Sequence, residues 1–200
     1  MDTYNIDAEY GRAALDRRHI LTGSYVYELP FFDKRHDFTG VMLGGWQFSG
    51  IVTYQTGLPY TATFSSYDPA GIGFLNPSSP AGGRPYLFGN PNSGAPHTFD
   101  QWFNTSVFQD TRPTGAPAVP GNSGRGVING PRTFRIDFTL VKNFNFTETM
   151  RLQLRGEMFN ALNTTNFTTF GTAASTTSSF GRITGVRDPR TMQFGIKFLF

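Results

Sequence analysis

The histidines and the carboxylates beside them are the first places to look for chemistry in this 200-residue chain. His36 stands between Asp33 and Asp37, a grouping that could ligate a metal or serve as a general base. Lys34 and Arg35 lie in the same stretch and oppose a bound cation, so a polar turn is the better reading. His19 follows Asp16-Arg17-Arg18 and His97 lies in a Pro-rich stretch; neither has a third ligand at a useful spacing. The run Gly121-Asn122-Ser123-Gly124-Arg125-Gly126 could be taken for a phosphate-cradling loop. It lacks the Lys-Ser/Thr ending and leads toward a strand, so no helix N-terminus is available to the anion. No Gly-x-Ser-x-Gly elbow occurs. The absence of Cys removes thiolate metal sites and disulfides. The sequence therefore predicts no catalytic residue, no metal site and no cofactor.

Two other sets of residues could contact a ligand. Arg135, Asp137, Arg151, Arg155, Glu157 and Lys197 recur at every second position of their segments, which puts charges of both signs on one face of a sheet. Their ordinary role would be cross-strand pairing and hydration of that face; contacting another part of the protein or guiding a substrate is the functional alternative. Phe99, Trp102 and Phe103 sit in a long Gly/Pro-rich connection. They could anchor an external ligand or pack the loop against itself.

The elements that would position these residues follow from period-two alternation. Five segments carry it: Leu21–Leu29, Trp46–Tyr54, Phe134–Lys142, Met150–Met158 and Met192–Phe200. On one set of faces 21 of 25 positions are apolar, and three of the four exceptions are Gly; the fourth is Lys142. On the opposite faces only 4 of 20 are apolar, in a chain that is 38% hydrophobic, so each segment reads as a two-faced strand. A soluble sandwich would also use such strands. Three features favour a membrane barrel instead. The segments are about nine residues long, which suits a tilted membrane strand, whereas soluble strands average about five or six. The polar faces carry both charge signs, as a water-filled lumen does. Tyr27, Trp46, Tyr54, Phe134 and Phe144 lie near strand ends, where aromatic girdles fall.

Connection lengths agree. Lys142–Thr149 is tight and Pro30–Gly45 moderate, whereas Thr56–Pro131 and Asn160–Arg190 are long and rich in Gly, Pro, Asn, Ser or Thr. With a periplasmic C-terminus the short links fall in the periplasm and both long ones outside, the arrangement of outer-membrane barrels. A mean hydropathy of −0.30 and the lack of any run of about 18 apolar residues argue against membrane helices. Met1-Asp2-Thr3-Tyr4 opens a polar stretch without the apolar core of a signal peptide. The basic residues are scattered, so the net charge of +3 implies no nucleic-acid partner.

Asp16-Arg17-Arg18-His19, Leu29-Pro30-Phe31, Gly44-Gly45-Trp46-Gln47-Phe48-Ser49-Gly50-Ile51, Gln55-Thr56-Gly57-Leu58-Pro59, Gly121–Arg125, Gly130–Lys142, Phe159-Asn160-Ala161-Leu162-Asn163 and Pro189–Phe200 form an ordered series. Together they resemble the barrel of Oar-like TonB-dependent receptors. The resemblance implies a barrel of roughly 22 strands closed by an N-terminal plug, with import driven through TonB. Five strands cannot close such a barrel, and an open sheet in lipid leaves two unpaired edges. The expectation is an all-β, antiparallel transmembrane barrel of which residues 1–200 are the C-terminal portion, without plug, TonB box or signal peptide. Outer-membrane lipid, the rest of the barrel with its plug and TonB, and the barrel-assembly machinery would be its partners. The resemblance also makes the alternating Phe194, Ile196, Phe198 and Phe200 the assembly signal.

Overall fold

A computed structural model describes residues 6–32, 37–64, 83–109, 121–147 and 149–200. The long strands are β1 (Ile20–Glu28), β2 (Trp46–Gln55), β7 (Thr133–Asn145), β8 (Arg151–Phe159) and β11 (Thr191–Leu199). A short helix, α1 (Phe38–Leu43), lies between β1 and β2. Among the described residues the long connections hold six short strands: β3 (Pro59–Tyr60), β4 (Tyr86–Leu87), β5 (Phe108–Gln109), β6 (Ile128–Asn129), β9 (Phe167–Phe170) and β10 (Ile183–Val186). The chain divides into two compact units, one built on the long strands and the other on the long connections.

In the first unit the five long strands form one antiparallel sheet in the order β1-β2-β7-β8-β11. Register decides which side chains share a face, because a one-residue slip would send every side chain to the other side. Tyr25 pairs with Gly50, Gly50 with Phe138, Phe138 with Met158 and Met158 with Met192, so the apolar positions of all five strands join into one surface. The polar row Val26, Ser49, Thr139, Glu157 and Gln193 crosses the opposite surface in the same way. The apolar surface is open: Phe194 is 83% and Ile196 77% exposed. Tyr25 lies across its cross-strand partner Gly50, where an added Cβ would stand 2.7 Å from the tyrosine oxygen and 2.5 Å from the Asp137 carbonyl.

Both long connections leave and return at the same end of the strands, since Gln55 pairs with Thr133 and Phe159 with Thr191. The short links join the strands at their other end. The β7–β8 turn closes through Phe146 N–H donating to the Met150 carbonyl at 3.0 Å and Met150 N–H to the Thr147 hydroxyl at 2.9 Å. The alternation of short and long links thus agrees with the sequence. Two boundaries differ. β7 runs on to Asn145, because Asn143 and Asn145 pair with Gln153 and Arg151 instead of turning. The link after β1 contains α1, which six residues with a central Gly do not announce.

The second unit corrects the reading of the long connections as loops alone. It has its own core of Ala62, Phe103, Ile128, Phe170 and Ile183. The Phe103 ring meets Phe108, Phe170 and Phe180 with centroids 5.7, 5.4 and 5.2 Å away, mostly edge-on, a favoured aromatic geometry. Glu9 ties the N-terminal segment to this core by pairing Arg84 at 2.7 Å and Arg125 at 2.6 Å.

Candidate functional site: the polar sheet face and the loop aromatics

The six charged residues singled out from the sequence all lie on the polar face of the sheet. Thr53 pairs with Arg135, Ile51 with Asp137, Val141 with Arg155, Thr139 with Glu157, Asn145 with Arg151, and Lys197 with Gln153. Their ion pairs run along the strand and not across it. Arg135 Nε meets Asp137 Oδ1 at 2.6 Å, and Arg155 Nη2 meets Glu157 Oε1 at 2.7 Å. Residues two apart in a strand share a face, so these pairs need no partner strand. The expected cross-strand ion pairing is replaced by a neutral bond, Gln153 Nε2 to Asn143 Oδ1 at 3.0 Å. Asp137 also accepts the Asn160 backbone N–H at 2.9 Å, and the Arg135 guanidinium lies 5.8 Å from the Phe159 ring centre. These partly exposed pairs contribute at most about 1 kcal/mol each; together the six residues give the face four cations and two carboxylates.

The loop aromatics take different roles. Phe103 is 1% exposed at the centre of its core, so it packs the connection and cannot meet an external ligand. Trp102 is half-buried, donating from Nε1 to the Asn129 carbonyl at 2.9 Å. Its ring packs on His97 at 4.8 Å and Phe167 at 6.0 Å. Phe99 is exposed, beneath the Arg182 guanidinium at 5.5 Å, and Arg182 pairs with Asp100 at 3.4 Å. Sequence reasoning missed Phe167, which joins this ledge from a strand far along the chain. Tyr60 donates to the Thr168 carbonyl at 2.8 Å. Burial raises its phenol above the ordinary range, partly opposed by the charge of Arg17.

His36 and Asp33 lie outside the described residues. Among the described residues no three His, Asp or Glu side chains converge on a cation site. The Gly121–Gly126 run leads into β6 and not into a helix. Phe194, Ile196 and Phe198 alternate along the apolar face of β11, and Phe200 continues the pattern.

A family model described as an outer membrane beta barrel domain matches residues 1–193. The chain belongs to this outer-membrane β-barrel family. Its place is therefore the bacterial outer membrane, and its sheet is part of a barrel wall that the five strands do not close. No curated protein and no solved structure matches the chain.

One feature of this barrel protein escaped the sequence pattern. Lys142 is the charged exception on the apolar face, yet it is 3% exposed. Its Nζ donates to the backbone carbonyls of Val41, at 2.6 Å, and Gly44, and lies over the rings of Trp46 and Phe144 at 5.6 and 4.7 Å. Only the fold could reveal this, because the carbonyl partners are about a hundred residues away.

Proposed function

We propose that the chain is the C-terminal barrel segment of a TonB-dependent outer-membrane receptor that takes up a substrate across the outer membrane. The apolar face, from Tyr25 to Phe194, meets lipid, and the polar face bearing Arg135, Asp137, Arg151, Arg155, Glu157 and Lys197 lines the lumen. The observation that carries this reading is a membrane sheet with one charged face and, among the described residues, no strand beside either edge, β1 or β11. Such edges are untenable in hydrocarbon, so further strands must complete a barrel wide enough to hold water or a plug. The long connections would be extracellular, with Phe99 and Trp102 available to cargo, and the short links periplasmic. The β11 pattern ending at Phe200 would be read by the barrel-assembly machinery.

The test is cross-linking in cells that make the protein from its own gene, followed by immunoprecipitation from outer membranes. The expected result is a cross-linked adduct with TonB that disappears when TonB is deleted. Recovery from outer membranes without that adduct would overturn the uptake reading. It would favour a structural or adhesive barrel, for which the self-contained core of the long connections provides a rigid surface module.

A further inference from the structure

We propose that α1 is an interfacial helix, lying among inner-leaflet phospholipids of the outer membrane and anchoring the periplasmic rim of the barrel wall. The inference rests on the assignment, made above, of the apolar face to lipid and the short links to the periplasm.

A six-residue helix has too few hydrogen bonds to persist by itself. Three contacts hold this one. Asp37 caps its start by accepting the Gly40 N–H at 2.9 Å, Trp46 Nε1 donates to the Met42 carbonyl at 3.2 Å, and Lys142 holds the carbonyls of Val41 and Gly44. Trp46 and Lys142 are register partners on the apolar face. The helix is thereby fastened to the side of the wall that faces lipid and not to the lumenal side. An ammonium there needs partners, since an unpaired charge facing lipid is costly, and the last carbonyls of a helix are a suitable acceptor group.

What α1 presents outward decides the occupant. Phe38 is 80%, Met42 47% and Leu43 49% exposed. Phe38 and Met42 are four residues apart and so share a side of the helix. This apolar side belongs to a helix fastened by Trp46 and Lys142 to the lipid-facing side of the sheet, and the Trp46 ring marks the level at which aromatic girdles meet headgroups. Apolar side chains outward, with polar anchors held at the rim, are the chemistry of a helix lying in the membrane interface.

The chain has no cysteine, so single-cysteine spin labelling tests the proposal directly. Phe38→Cys and Met42→Cys are labelled in outer membranes, with Phe194→Cys as the mid-wall reference. Asp100→Cys, whose native side chain is 81% exposed, is the water reference. The expected result at positions 38 and 42 is oxygen access like that at 194 and access to a water-soluble nickel complex several-fold below that at 100. Nickel access equal to position 100 would overturn the proposal by placing α1 in water. Exclusion of both reagents would overturn it by placing α1 under a protein partner or a second copy. If the Phe194→Cys label itself lacks oxygen access, the assignment of the apolar face fails and α1 with it. Oxygen access at 194 with nickel access at 38 and 42 rejects the helix alone.

Discussion

Lys142 shows how one side chain can break a strand's pattern without disturbing the strand. Its neighbours on the apolar face are Trp46 and Leu154, and its charge is satisfied by backbone carbonyls that the alternation cannot reveal. Lys142→Met leaves the strand apolar but frees two carbonyls. We expect a loss of about 2 kcal/mol, the scale of hydrogen bonds to a charged group, in denaturant unfolding of the detergent-folded protein. Proteolysis within residues 29–45 should rise with it. Tyr60 makes a prediction about pH. Its phenol holds its proton more tightly in the folded protein than in the unfolded chain, whose tyrosines titrate near about pH 10. The stability due to Tyr60 is therefore intact below that pH and is lost as pH rises through the higher folded value. Tyr60→Phe should flatten the fall in melting temperature between neutral pH and the alkaline range. An unchanged slope would refute the assignment.

Elements differ in how much of them the sequence discloses. The five long strands are legible because each repeats one apolar and one polar side over about nine residues, and their shared faces follow from that period alone. The charged residues share one face for the same reason. Their pairing was not legible, because it depends on rotamers that send Arg135 and Arg155 along the strand. The short strands of the long connections carry no periodicity at two residues each, and Phe103 differs from Phe99 only in what packs around it. α1 escaped because Phe38–Leu43 is stabilised from outside, by Trp46 and Lys142. Two glycines test the sheet itself. Gly50→Val forces Tyr25 aside and should cost about 1–3 kcal/mol, as overpacking does. Gly23→Ala meets nothing within 4 Å and should stabilise by about 0.4–1 kcal/mol through the unfolded chain. Denaturant midpoints measured on both variants give the comparison, and equal shifts would contradict the geometry.

At the scale of the whole molecule, membership of the outer-membrane barrel family makes assembly a property that can be measured. If β11 carries the assembly signal, Phe200→Ser should lower the amount reaching the outer membrane several-fold, read by fractionation, while a change at exposed Asp100 leaves it unaltered. The pairing of the long connection after β2 bears on how the barrel wall forms. Pro59 pairs with Asn129 and Tyr60 with Ile128, the same offset that matches Gln55 to Thr133 in the sheet. Gly130 N–H donates to the Leu58 carbonyl at 2.8 Å between the two ladders. The ends of a connection from Thr56 to Arg132 are thus clasped in register by its own short strands. Loop-closure entropy for β2 and β7, which would otherwise join across a long chain, is then lost when the unit of the long connections folds. For the search that sets folding speed, a contact remote in sequence behaves as a local hairpin.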